Sequence, residues 1–199
     1  NIMGASKRLA EMSVQVAASL SSTTIFSMVR FGNVIGSSGS AIPLFQSQIL
    51  NGGPVTVTDP NVTRYFMSIS EAVKLVLEAG EMANGGEVFV FDMGQPVKVV
   101  DLVKRMIRLH GKVEKLQDSD NGDIEIKFIG LRPGEKMFEE LVLGRGLKNT
   151  EHPQILRAYE AFASKKDLKY IEKEILKSIS SDDDVTLNKI LTKAGVLIK

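Results

Sequence analysis

Leu9, Met12, Val16 and Leu20 recur at helical spacing with Arg8, Glu11 and Gln15 between them, which predicts an amphipathic helix over residues 5–20. The apolar run over 24–31 predicts a buried strand, followed by a Gly/Ser-rich loop over 32–40. Pro43 suits the first turn of a helix over 42–50, and Asn51-Gly52-Gly53-Pro54 is a turn before a short strand at 55–58. Residues 65–69 read as extended, with Ser70 capping a helix over 71–83 that Asn84-Gly85-Gly86 ends. Residues 87–92 form the strongest strand pattern, and 99–110 return to helical period through Leu102, Met106 and Ile107. A polar loop over 118–123 leads to alternation at 124–128, the mark of a half-exposed strand. A helix is expected near 135–143 after Pro133-Gly134, and two short helices in 167–199 around the acidic stretch 181–184. The alternation of strands and helices predicts an α/β fold, and no internal repeat is visible.

Composition narrows the classes. With 199 residues, the chain is long enough for one domain, or one and a small appendage, with a real hydrophobic core. It is 43% hydrophobic and 25% charged, which excludes disordered and collagenous classes. Lys+Arg number 25 against 24 Asp+Glu, so the net charge of +1 gives no reason to expect nucleic acid as a partner. The absence of cysteine removes disulfides, thiolate metal sites and a cysteine nucleophile, and is compatible with a cytoplasmic setting. No apolar run reaches the roughly 18 residues of a membrane span, so no membrane contact is expected from this segment. The chain opens on Asn1 without an initiator methionine, and is expected to be a piece of something longer.

Several residues carry candidate chemistry. Met3 and Lys7 are four apart and share one face of a helix, where a buried methionine and a solvated lysine are the plain account. The glycines at 32, 36 and 39 lie between a strand and a helix, where an anion could bind, but they fit neither G-x-G-x-x-G nor G-x-x-x-x-G-K. Asn33 follows a strand end, and its amide both donates and accepts there. Arg64 and Arg132 stand in apolar or turn-forming stretches, and two guanidinium forks converging on one site would clamp a diphosphate. Glu135, three residues past Arg132, is suited to accept from a sugar hydroxyl or to cap a helix. His110 and His152 lack acidic neighbours at metal-ligand spacing, so no metal site is expected.

Four motifs occur in order: Asn-Ile-Met-Gly-Ala-Ser-Lys-Arg at the start, Arg30-Phe-Gly-Asn-Val-Ile-Gly-Ser-Ser-Gly-Ser, Val57-Thr-Asp-Pro-Asn-Val-Thr-Arg-Tyr-Phe-Met, and Arg132-Pro-Gly-Glu-Lys. Over about residues 1–160 the chain resembles the C-terminal half of CapD-type polysaccharide biosynthesis proteins, nucleotide-sugar 4,6-dehydratases of the extended short-chain dehydrogenase/reductase class. The resemblance implies the C-terminal portion of that fold: last Rossmann elements in 1–33, a nucleotide-sugar-binding part in 34–160 and a helical tail in 161–199. It implies NAD(P), held mostly by a preceding Rossmann part, and a UDP-sugar substrate resembling UDP-N-acetylglucosamine. Hydride would leave sugar C4 for the cofactor, water would be lost across C5–C6, and hydride would return to C6, giving a 4-keto-6-deoxy sugar.

By the same resemblance, Lys7 matches the lysine of the Tyr-x-x-x-Lys pair, which contacts the nicotinamide ribose, and Met3 stands at the tyrosine position. A thioether has no proton to exchange, so acid/base work would fall to residues upstream. Asn33, Arg64 and Arg132 match residues that reach the diphosphate, Glu135 one at the ribose or uracil end, and Val34, Ser40 and Thr56 would line the same cleft. The segment alone is expected to be inactive, and the whole protein to be anchored in the inner membrane as larger relatives are. Oligomeric state stays open, although a cut through the fold would expose apolar surface that favours a homo-oligomer. A UDP-sugar 4-epimerase of the same class and a non-catalytic nucleotide-sugar or dinucleotide-binding protein are the alternatives.

Overall fold

The computed structural model describes residues 2–37, 39–115, 121–139, 146–158 and 164–193. In chain order, α1 (Ile2–Leu20) leads to β1 (Met28–Arg30) and β2 (Asn33–Val34), then α2 (Ala41–Leu50) and β3 (Val55–Val57). Two short strands, β4 (Thr63–Arg64) and β5 (Phe66–Met67), precede α3 (Ile69–Glu81), β6 (Val88–Phe91), β7 (Val97–Lys98) and α4 (Val99–Leu109). Then come β8 (Glu114–Lys115), β9 (Ile124–Phe128), β10 (Leu147–Asn149), β11 (Ile155–Ala158), α5 (Lys165–Ser180) and α6 (Asp184–Lys193). None of the helices among the described residues is long and apolar enough to cross a membrane.

The chain divides into two compact units. The first takes the described residues of Asn1–Arg30, Glu78–Val90 and Leu143–Lys199, and the second those of Phe31–Leu77 and Phe91–Val142. Both units are discontinuous, because strands distant in the chain pair with one another.

In the first unit the sheet order is β1-β6-β11-β10, with β1 parallel to β6 and β10 antiparallel to β11. The apolar stripe of α1, through Ala5, Met12 and Val16, packs with Leu168 and Ile171 of α5 and Leu191 of α6. That stripe is the one the periodicity predicts. The expected buried strand over 24–31 is corrected: only Met28–Arg30 is strand, and Ile25 is exposed. Among the described residues β1 has a paired neighbour on one side, β6, and it is half-buried.

In the second unit β9 runs parallel to both β3 and β8. β9 turns Ile124 and Ile126 inward and Glu125 and Lys127 outward, the alternation expected of a half-exposed strand. Those isoleucines join Phe45 and Ile49 of α2, Val55 and Val57 of β3, and Val103 and Ile107 of α4 in one core.

Two helix boundaries differ from expectation. α3 begins at Ile69, and the cap is Ser68, whose hydroxyl accepts from the Glu71 N–H at 3.1 Å, rather than Ser70. Residues 135–139 are not helical, and the turn at Pro133-Gly134 is closed by the Glu135 N–H on Arg132 O and by the Arg132 N–H on the Glu135 carboxylate; the remainder of the helix expected over 135–143 lies outside the described residues.

Candidate functional site

Two short strand pairings in the second unit set the candidate site. β2 runs parallel to β5, with Asn33 opposite Phe66, and β4 runs antiparallel to β7, with Arg64 opposite Val97. Gly32 makes the first pairing close: a Cβ there would lie 2.7 Å from Tyr65 Cβ and 3.0 Å from Tyr65 O. The Asn33 N–H donates to that same carbonyl at 2.9 Å, and its side-chain Nδ2 donates to it at 3.1 Å. The main chain and the side chain of Asn33 are thereby tied to one carbonyl, Tyr65 O.

Arg64 is half-buried, and both of its terminal nitrogens are hydrogen-bonded. Its Nη1 donates to Thr63 O at 2.7 Å and Met137 O at 3.3 Å, and its Nη2 to Glu135 Oε1 at 2.9 Å. Glu135 closes the turn that begins at Arg132. Its Oε2 accepts from the Arg132 N–H at 3.1 Å, while Oε1 also takes the Thr58 hydroxyl at 3.1 Å. In return, the Glu135 N–H donates to Arg132 O at 2.9 Å. Arg132 itself presents its side chain to solvent.

A second carboxylate, which the sequence reading missed, completes the cluster. Glu139 accepts from Asn33 Nδ2 at 3.1 and 3.3 Å and from the Tyr65 N–H at 3.4 Å, and its Oε1 lies 3.6 Å from Arg64 Nε. The signal available was its spacing of four from Glu135, which the expectation of an ordinary helix over 135–143 absorbed. The structure therefore brings Asn33, Arg64 and Glu135 together, with Arg132 joined to them through the backbone of its turn. Three kinds of donor (an amide, a guanidinium and a backbone N–H) point at one anionic group, an arrangement suited to oxyanions.

The other candidates take different places. Val34 lies half-buried in β2, paired with Met67. Ser40 is the N-cap of α2 without a side-chain cap hydrogen bond. Thr56 is tied to α2: its N–H donates to Gln48 Oε1 at 3.1 Å and its hydroxyl accepts from Gln48 Nε2 at 2.9 Å.

Met3 and Lys7 belong to the first unit, where both are exposed on α1, one helical turn apart. The opposite face of α1 is buried through Ala5, Arg8, Met12, Gln15 and Val16. Below Lys7, Glu11 accepts from Arg8 Nη1 at 3.1 Å and from Arg30 Nε at 2.6 Å, fastening α1 to the end of β1. Burial alone would raise the Glu11 pKa, but the hydrogen bond and charge of Arg30, joined by those of Arg8, outweigh it and hold the carboxyl below its ordinary value.

Comparison with known proteins places the chain in a family. The family model described as "Polysaccharide biosynthesis protein" matches residues 1–160. The chain is 55% identical over 175 residues to the capsular polysaccharide biosynthesis protein CapD of Staphylococcus aureus, covering 88% of this chain and 27% of that protein. It is 40% identical over 144 residues to a UDP-glucose 4-epimerase of Rickettsia rickettsii, covering 71% of this chain and 39% of that one. Among solved structures, Pen from Bacillus thuringiensis superposes with a TM-score of 0.64 at 35% identity, over 80% of this chain and 48% of that one. The chain thus spans between about a quarter and a half of the length of these relatives. The fold class is the expected one, α/β and part of an extended short-chain dehydrogenase/reductase fold. The chain belongs to the polysaccharide biosynthesis protein family.

Proposed function

We propose that this chain is the nucleotide-sugar-binding part of a UDP-N-acetylhexosamine 4,6-dehydratase that uses NAD(P) in surface polysaccharide biosynthesis. The observation that carries the reading is the convergence of Asn33 Nδ2, the Tyr65 N–H and Arg64 Nε on a single anionic group in the second unit. Such a donor set suits the diphosphate of a nucleotide sugar. Arg132 supplies a further cation at the exposed turn beside it, and Glu135 fixes both the turn and the Nη2 end of Arg64. The similarity to CapD supports the same reading.

On the cofactor side, the reading assigns the exposed face of α1 to the dinucleotide. Lys7 stands free of the buried stripe, with three ammonium donors available to ribose hydroxyls, and Met3 offers an apolar surface one turn away. When bound, the nicotinamide would supply a hydride acceptor for sugar C4. Met3 cannot hold or deliver a proton, so in this reading proton transfer is assigned to other residues of the whole enzyme.

A second reading, a UDP-sugar 4-epimerase, is favoured by the similarity to the Rickettsia protein and disfavoured by Met3 at the position of a tyrosine base. Mass spectrometry of the product decides between them. The full-length protein, incubated with UDP-N-acetylglucosamine and NAD(P), is expected to yield a product lighter by one water. A product of unchanged mass with inverted C4 would replace the dehydratase reading by the epimerase one.

A further inference from the structure

Glu139 takes up the donors of the candidate anion seat. Its carboxylate receives the Asn33 amide at 3.1 Å and the Tyr65 N–H at 3.4 Å, with Arg64 Nε 3.6 Å from Oε1. Each of those donors is positioned independently of Glu139. Asn33 Nδ2 also donates to Tyr65 O, Arg64 is braced by Thr63 O and Glu135, and the Tyr65 N–H belongs to the backbone between β4 and β5. The seat would therefore persist with its present occupant gone.

The two carboxylates around Arg64 differ in kind. Glu135 is built into its turn through the Arg132 N–H and the Thr58 hydroxyl as well as Arg64. Glu139 meets the seat with longer contacts, and its side chain keeps 29% of its accessible surface, which leaves it a route to solvent. Like charges exclude one another from such a seat.

We propose that Glu139 is an internal competitor for this anion seat. A phosphate of the nucleotide sugar takes over the Asn33 amide, the Tyr65 N–H and Arg64 Nε, and the Glu139 carboxylate moves out to water while Glu135 keeps its hold on Arg64. The proposal rests on the nucleotide-sugar reading above and adds to it a residue that sets the affinity of the site.

Titration calorimetry on the full 199-residue chain with UDP, inorganic pyrophosphate and uridine tests it. Glu139→Gln keeps the shape of the side chain but removes its charge. UDP and pyrophosphate are expected to bind about tenfold more tightly to it, with uridine unchanged. Glu139→Ala is the second variant, with the same expected direction, and circular dichroism verifies that each is folded. A merely structural Glu139 predicts the reverse sign, so weaker or unchanged UDP binding in both folded variants overturns the competition. Arg64→Ala separates the two levels. If it weakens UDP binding while the Glu139 variants do not tighten it, the anion site stands and the competition falls. If Arg64→Ala leaves UDP binding unchanged, or the parent chain binds neither UDP nor pyrophosphate, the nucleotide-sugar reading falls and the competition with it.

Discussion

Glu11 shows how a single carboxylate can organise an interior. It joins Arg8, one turn behind it, to Arg30 at the end of β1, and all three side chains are largely buried. Because its pKa is depressed in the folded state, the stabilisation it contributes is present above the ordinary carboxylate value of about 4.3. That contribution is lost as pH falls through the lower folded value. Glu11→Gln removes the charge that satisfies two buried guanidinium groups, and is expected to cost about 1–3 kcal/mol at neutral pH. The cost should shrink as acid protonates the parent, which thermal unfolding followed by circular dichroism between neutral pH and strong acid checks. At the site itself, Arg132→Ala is expected to weaken UDP binding by about 1.5–3 kcal/mol, the usual value of a charge-assisted contact. An unchanged affinity in calorimetry would remove Arg132 from the set.

Among the elements, the long ones were legible, and of the short strands only β3 and the extended stretch around β5 were. α1, α4 and α5 announce themselves because many residues repeat one period, and β6 because four consecutive buried residues are β-branched or aromatic. β2, β4, β5 and β7 are two residues each, too short for any period. They exist because distant backbone meets them, and that information is absent from a local window. The same explains the candidate site: Asn33, Arg64 and Glu135 were legible as residue types beside turns, whereas Glu139 depends on backbone pairing that brings it against Asn33. Gly32 tests this dependence. Gly32→Ala would drive a methyl into Tyr65 Cβ and its carbonyl, displacing β2 from β5. A stability loss of about 1–3 kcal/mol is expected, together with weaker UDP binding, since Asn33 is the next residue. Denaturant melts and calorimetry on the same variant measure both. At α5, Ser164 and Asp167 form a capping box, so Ser164→Ala should cost about 1 kcal/mol in the same melts.

For the molecule as a whole, the two hydrophobic clusters share no residue, and each lies within one unit. Ile107→Ala opens a cavity in the second unit's core, with an expected cost of about 2–5 kcal/mol. Amide exchange should then accelerate mainly in 31–77 and 91–142, read by mass spectrometry of peptides. Acceleration spread evenly over both units would show that the clusters open as one.

The interleaving of the units also bears on biosynthesis. β1 pairs with β6, and β6 has β11 on its other side, so the first unit's sheet is complete only once Ala158 has been made. Its helical cluster waits longer still, for Leu168, Ile171 and Leu191 to meet α1. Contacts this distant in sequence are slow to form. On the ribosome, then, the second unit can close around its own core, and β1 can pair with β6, while α1 still lacks α5 and α6. Through that interval the stripe of α1 has neither Leu168 and Ile171 nor Leu191 to pack against.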